Sequence, residues 1–243
     1  MCMTDMIGSA DCPPARLAAT RDGLHRVAEH LLAAARYAAS GEIGLVPAPG
    51  GFRTPPFGPD GRFLAVDGTE LVAGDATTTR RTALTTIRAA AEFAGVTPGA
   101  PARVYQPATP LDLDEPLVID PWAARLLADW YQLGARALGQ LAAEVPGDRP
   151  SAAVLWPEHF DVGITAGAIN YGASPGDDHI ADPYLYVGPP LPPPGDPAFW
   201  NAPFGAARTF RQIGTVAEAA AFFRDGRARA LAAAAATPVR RTS

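Results

Sequence analysis

The sequence contains no lysine; all 20 of its basic residues are arginine. Together with 24 Gly, 26 Pro and abundant Ala, this reads as the coding bias of a GC-rich bacterium rather than a functional choice. Net charge is −5, without long like-sign blocks. That argues against a nucleic-acid partner, which needs clustered cations to displace counterions from phosphate. There are two cysteines, Cys2 and Cys12, too few for a disulfide framework or a zinc knuckle. No stretch approaches the ~18 uninterrupted apolar residues of a membrane span. The leading MCMTDMIGSADCPP lacks the basic start and apolar run of a secretory signal. Neither a P-loop nor a Gly-x-Gly-x-x-Gly after a strand is present, so nucleotide binding has no sequence support. The expectation is a soluble, cytoplasmic bacterial protein with no nucleic-acid or membrane partner.

What is present is a large apolar fraction, 48%, enough for a sizeable core. We expect a flexible N-terminal tail (1–14), one domain (15–237) and a short C-terminal tail (238–243). A helix opens at Ala15, with Leu17, Leu24, Val27, Leu31 and Tyr37 close to one stripe and Gly41 at its exit. EIGLV reads as a strand, PAPGGFRTPPFGPDG as a Pro/Gly-rich connector, and RFLAV-DG-TELVA as a hairpin turning at Asp67-Gly68. TALTTIRAAAEFAG is a short helix closed by Gly95. ARVYQ reads as a strand and PATPLDLDEPLVI as an extended run. Asp120-Pro121 caps a long helix whose Trp122, Leu126, Trp130, Leu133 and Leu141 share a face. Three or four strands follow, then GAARTFRQI as a last strand and a final helix capped by Thr215. Helices separate from clusters of short strands, which predicts an α+β fold with mostly antiparallel sheet packed against about four helices. Each half runs long helix, strand meander, shorter helix. That is the pattern of a pseudo-duplicated domain, although no residue-level repeat supports it.

Two apparent motifs fail on physical grounds. Gly172-Ala173-Ser174-Pro175-Gly176 has the letters of a nucleophile elbow, but the residue after the serine must donate its N–H to an oxyanion, and Pro175 has none. His25, Glu29 and His30 look zinc-like, yet His25 and His30 sit roughly 140° apart on an α-helix, so a solvated face is expected there.

The stretch WPEHFDVGITAGAINYGASPGDDHIADPYLYVGP holds the candidate site. Pairing HFDVGI with INYGAS through the turn TAGA, with Ile164 opposite Ile169, places Val162, Tyr171, Phe160 and Ala173 on a core face. The other face carries His159, Asp161, Gly163, Asn170, Gly172 and Ser174, with Asp177, Asp178 and His179 in the next turn. Two glycines leave that face shallow. In one reading it is simply solvated, as antiparallel sheets often are. In a second it lines a small-molecule pocket walled by Trp156, Tyr184 and Tyr186. In a third, His159, Asp161, Asp178 and His179 hold a divalent metal that activates water, as in a metal-dependent hydrolase, the metal being unspecified.

LWPEHFDVGI and NYGASPGDDHIADPYLYVGPP resemble a family of uncharacterised, mainly actinobacterial proteins with Trp-Pro-x-x-Phe-Asp and Ser-Pro-Gly-Asp motifs. GEIGLVPAPGGFRTPP and RTALTTIRAAAEFAGV look like that family's N-terminal half. The resemblance implies a single evolutionary unit; it carries no established activity, so it transfers no catalytic role and no cofactor. The sharpest reading is therefore small-molecule binding. His159 would be the general base if there is catalysis, because its unperturbed pKa lies nearest neutrality. Asp161 would orient it or share a metal with it, and Trp156, Asn170, Ser174, Asp178, His179 and Tyr184 would contact the ligand. The competing reading is a non-enzymatic protein whose apolar helices and Pro-rich segments form a homodimer or partner surface.

Overall fold

The computed structural model describes residues 13–190 and 196–236. Of the two expected tails, only Pro13 and Pro14 lie among these residues. Pro14 already opens helix α1 (Pro14–Val27), at the position where its fixed φ and missing N–H cost nothing. The chain passes through a π-helical segment (Ala28–Ala33) into α2 (Ala34–Ser40), which Gly41 ends in a left-handed conformation.

Two five-stranded antiparallel meanders follow. The first is β1 (Val46–Ala48), β2 (Gly51–Arg53), β3 (Phe63–Asp67), β4 (Glu70–Gly74) and β5 (Thr79–Ala83), in that spatial order. After α3 (Ile87–Ala94) and the long α4 (Pro121–Glu144) comes the second. It comprises β6 (Val154–Trp156), β7 (Asp161–Ala166), β8 (Ile169–Ser174), β9 (Tyr184–Gly188) and β10 (Ala206–Thr209), again in sequence order. Helix α5 (Val216–Ala236) completes the described chain. The expected α+β class holds, with two antiparallel sheets and four helical runs among the described residues.

Several local expectations change. The Pro/Gly-rich connector contains β1 and β2, because Pro47 pairs with Phe52 in a two-strand ladder that turns at Pro49-Gly50. The first hairpin turns at Gly68-Thr69, one residue later than expected, since Asp67 pairs with Glu70. TRRTA forms the unexpected edge strand β5, and ARVYQ forms turns rather than a strand. The caps behave as read. The Asp120 carboxylate accepts from Trp122 N and Ala123 N, and Thr215 and Glu218 form a reciprocal capping box at α5.

The two meanders join edge to edge through one reciprocal pair. Leu45 N–H donates to Leu155 O (2.9 Å) and Leu155 N–H to Leu45 O (2.8 Å). Helix α4 lies across this junction, packed on β1 and β2 of one sheet and β7 and β8 of the other, and a single hydrophobic cluster spans both halves. Counting outward from the junction exposes a repeat the sequence alone did not. Leu45-Val-Pro-Ala-Pro-Gly-Gly-Phe52 runs parallel to Leu155-Trp-Pro-Glu-His-Phe-Asp-Val162. The prolines coincide, left-handed Gly50 (φ 78°) coincides with left-handed Phe160 (φ 53°), and buried Phe52 coincides with buried Val162. At the position between them Gly51 corresponds to Asp161, though the ladders differ: Gly51 pairs with Ala48 and Asp161 with Trp156.

Candidate functional site

The site is built on the face of β7, β8 and β9 that points away from α4 and α5, with α1 along one side. The β7–β8 turn is the two-residue Gly167-Ala168, both with positive φ (57° and 66°), as in a type I′ hairpin. Ile164 therefore pairs with Tyr171 and Val162 with Ala173, a shift of two residues from the expected register. Because side chains alternate with period two, this shift keeps every residue on its expected face. Val162, Ile164, Tyr171 and Ala173 are buried, and Asp161, Asn170 and Ser174 look outward into a cavity of about 1200 Å³.

The glycines do not leave this face shallow. Tyr186 on β9 pairs with Gly172 on β8, which in turn pairs with Gly163 on β7. The Tyr186 ring lies flat across this row: a Cβ on Gly172 would sit 2.5 Å from its Cζ and Oη, and one on Gly163 3.1 Å from Oη. The two glycines make room for the ring, and its hydroxyl donates to Asp161 Oδ2. Asp161 Oδ1 is buried and accepts no hydrogen bond. Burial pushes the Asp161 carboxyl up, and Glu158 adds to the push; the Tyr186 hydroxyl and the His159 ring pull against it. Burial and the facing carboxylate drive the Tyr186 phenol well above its ordinary range.

Tyr184, two residues earlier on the same face, donates to Asp177 Oδ2 (2.5 Å). Burial would raise Asp177, but the Tyr184 hydroxyl and the Ile180 and His179 amides outweigh it and hold the carboxyl below its usual range. Phe204 stacks on Tyr184 (5.9 Å between centroids) and meets Tyr186 edge-on (6.2 Å), closing an aromatic wall.

The turn before β7 supplies the other side. Phe160 is buried in a left-handed conformation that bulky residues rarely adopt. Packing over-determines it: Phe52 and Tyr131 meet its ring edge-on, His25 stacks on it at 4.9 Å, and Tyr131 Oη donates to its carbonyl (2.5 Å). Strain held this way aims its neighbours, Glu158, His159 and Asp161, along the cavity wall. Glu158 Oε2 is buried without a partner.

The first helix is not a solvated face here. His25 Nε2 donates to Pro157 O (2.7 Å), and burial holds its pKa below the ordinary imidazole value despite Glu29 at 3.9 Å. Glu29 is fully buried and accepts from Ala108 N, Thr109 N and Thr109 Oγ1. Ala100 N donates to His30 Nδ1, which makes Nε2 the protonated nitrogen, donating to Thr109 O. The π-helical segment presents this pair to the 99–110 loop and clamps it.

Among the sequence-derived site residues, His159, Asp161, Asn170, Ser174, Asp178 and Tyr184 all line the cavity. Trp156 and His179 do not. Trp156, at the end of β6, is 39% exposed, and His179 stands exposed in its turn with only its amide engaged, on Asp177 Oδ1. His159 sits in the turn rather than opposite Ser174, is exposed, and shares no hydrogen bond with Asp161, so the orienting role expected of Asp161 is not made. Ser174 is buried and its Oγ accepts from Gly176 N at the end of a strand, not at an elbow. Among the described residues, no three His, Cys, Asp or Glu side chains group to hold a metal ion, and His159, Asp161, Asp178 and His179 do not converge. Sequence reasoning missed His25, Glu158 and the Tyr186–Asp161 contact. The last was open to it: Tyr-x-Tyr alternation and two glycines in neighbouring strands are the signal.

No family model, curated protein or solved structure matches the chain. No described helix is long and apolar enough to cross a membrane.

Proposed function

We propose that this protein, in the cytoplasm expected from its sequence, binds a small molecule in the cavity over β7, β8 and β9. The observation that supports this reading is the Tyr186–Asp161 arrangement. Two glycines are given over to one phenol, which fixes one oxygen of a buried carboxylate and leaves the other without a partner beside the cavity. An unpaired buried acceptor costs roughly 1–3 kcal/mol, a cost that a bound donor removes. The surrounding composition is that of a ligand site, with an aromatic wall and a few placed polar groups. Asn170 and Asp178 line it from positions open to solvent, and Tyr184 closes one side.

The test is a fragment screen by protein-observed NMR on the parent and on Asn170→Trp. Asn170 is an exposed strand residue, so an indole there fills the cavity without disturbing the core. Hits that perturb the β8–β9 amides in the parent and vanish in the variant are expected. A screen with no hits, or hits that persist in Asn170→Trp, sinks the reading.

A further inference from the structure

Resting on that reading, we infer that the ligand is an organic cation, carrying a protonated amine or amidine group bound between Asp161 and Glu158 against the Tyr184–Tyr186–Phe204 wall. Among the described residues, five carboxylates line the cavity (Asp22, Glu158, Asp161, Asp177 and Asp178) against two guanidiniums, Arg21 and Arg26. Each guanidinium already has an acidic partner: Arg21 Nε donates to Asp22 (2.9 Å), itself part of the lining, and Arg26 donates to Glu115 outside it. Asp177 is likewise satisfied, by Tyr184 and two amides. Among the described residues of the lining, the buried side-chain atoms without a partner are Asp161 Oδ1 and Glu158 Oε2, both carboxylate oxygens. Such atoms call for donors. A ligand bearing its own carboxylate or phosphate would meet unpaired acceptors, and guanidiniums that each already have an acidic partner. His25 does not change this balance, because its Nε2 proton is spent on the Pro157 carbonyl and burial keeps the ring neutral near pH 7.

The aromatic wall points the same way. The faces of Tyr and Phe rings attract cations within about 6 Å. Three rings packed at centroid distances of 5.9, 6.2 and 6.4 Å form a surface for the ligand's cationic end and its apolar body together. A divalent metal fits less well, since no three ligating side chains converge among the described residues. An amine needs only donors and a surface.

The experiment titrates three matched probes, phenethylamine, phenylacetate and 2-phenylethanol, into the parent, Asp161→Asn, Glu158→Gln and Asn170→Trp, following amide shifts. The expected result is that phenethylamine binds the parent at least roughly tenfold more tightly than the alcohol while phenylacetate is rejected, as charge complementarity dictates. Asp161→Asn should erase that preference and leave the alcohol's weak binding in place. Should Asp161→Asn not fold, Glu158→Gln carries the test, with a several-fold loss of amine preference. If phenylacetate or the alcohol binds as well as the amine and Asn170→Trp abolishes it, the cavity reading stands and the cationic assignment falls. If amine binding survives both carboxylate variants, the assignment also falls. If MgCl2 or ZnCl2 displaces the amine at low molar excess, the acceptors serve a metal and the assignment is overturned. If no probe gives shifts that Asn170→Trp removes, the cationic assignment and the cavity reading fail together.

Discussion

The outer faces of the two meanders use charge in opposite ways. On the first, Arg81 bonds both Asp67 (2.7 Å) and Glu70 (3.2 Å), and all three side chains are 41–50% exposed. Water and partners satisfy every group, and such pairs contribute little to stability. On the second, Asp161 is buried, has one partner, and leaves an oxygen unpaired. The same skeleton thus carries a solvated, closed network in one half and a strained, incomplete one in the other. Such costly arrangements cluster at functional sites, which is why the proposed binding site is assigned to the second half.

The sharpest way to break this comparison is at the matched left-handed pair, Gly50 and Phe160. Phe160→Ala should destabilise by about 3–5 kcal/mol through lost packing against Phe52, Tyr131 and His25. Phe160→Gly, which loses the same ring but relieves the backbone, should cost about 1 kcal/mol less than the alanine variant. Urea denaturation measures both, and a glycine variant no better than alanine would mean the left-handed conformation is unstrained. Next in size is Tyr186→Phe. It strips the phenol's hydrogen bond from a buried carboxylate and should cost about 2–3 kcal/mol, whereas Arg81→Ala on the first sheet should leave the denaturation midpoint unchanged within error. Equal effects on the two faces would erase the distinction drawn between them.

Smaller effects follow from pH. The native pKa of Asp161 is raised, so the folded state holds this proton more tightly than the unfolded chain. Its contribution is complete at pH values below 3.8 and is lost as pH rises through the native value. Asp161→Asn should therefore gain thermal stability on the parent as pH rises through that range, and a gain that shrinks with pH would contradict the assigned cause. His25 works in the opposite direction. Its native pKa is lowered, so acidification from pH 7.5 through 6.5 and on to the native value costs stability. His25→Asn should flatten that slope, as followed by chemical denaturation at a series of pH values.

The candidate face was legible in the sequence because alternation is robust: an error of two residues in register returns the same side chains to the same side. Helix caps at Asp120 and Thr215 were legible for a similarly local reason, a side-chain acceptor next to free amides. The failures lay where distant segments decide. Pro47 sits in a ladder with Phe52, turned at Pro49-Gly50, and the residue before that strand, Leu45, pairs with Leu155 about a hundred positions on. His25 and His30 were judged by the geometry of an α-helix, but the chain widens into a π-turn at Ala28. His159 was placed in a strand, since nothing local marks Phe160 as left-handed; the matched glycine at position 50 would have. Trp156 and His179 were taken for site residues on chemistry and sequence proximity, and sequence proximity did not carry them to the cavity.

The reciprocal Leu45–Leu155 pair is the contact two identical half-length chains would make about a dyad. In such a homodimer every substitution is made twice, so a buried carboxylate placed in one subunit would be imposed on the other, doubling its burden on the assembly. Joining the halves in one polypeptide lifts that constraint. Gly51 and Asp161 can then differ, and one copy of the architecture serves as ballast while the other tolerates a costly buried carboxylate.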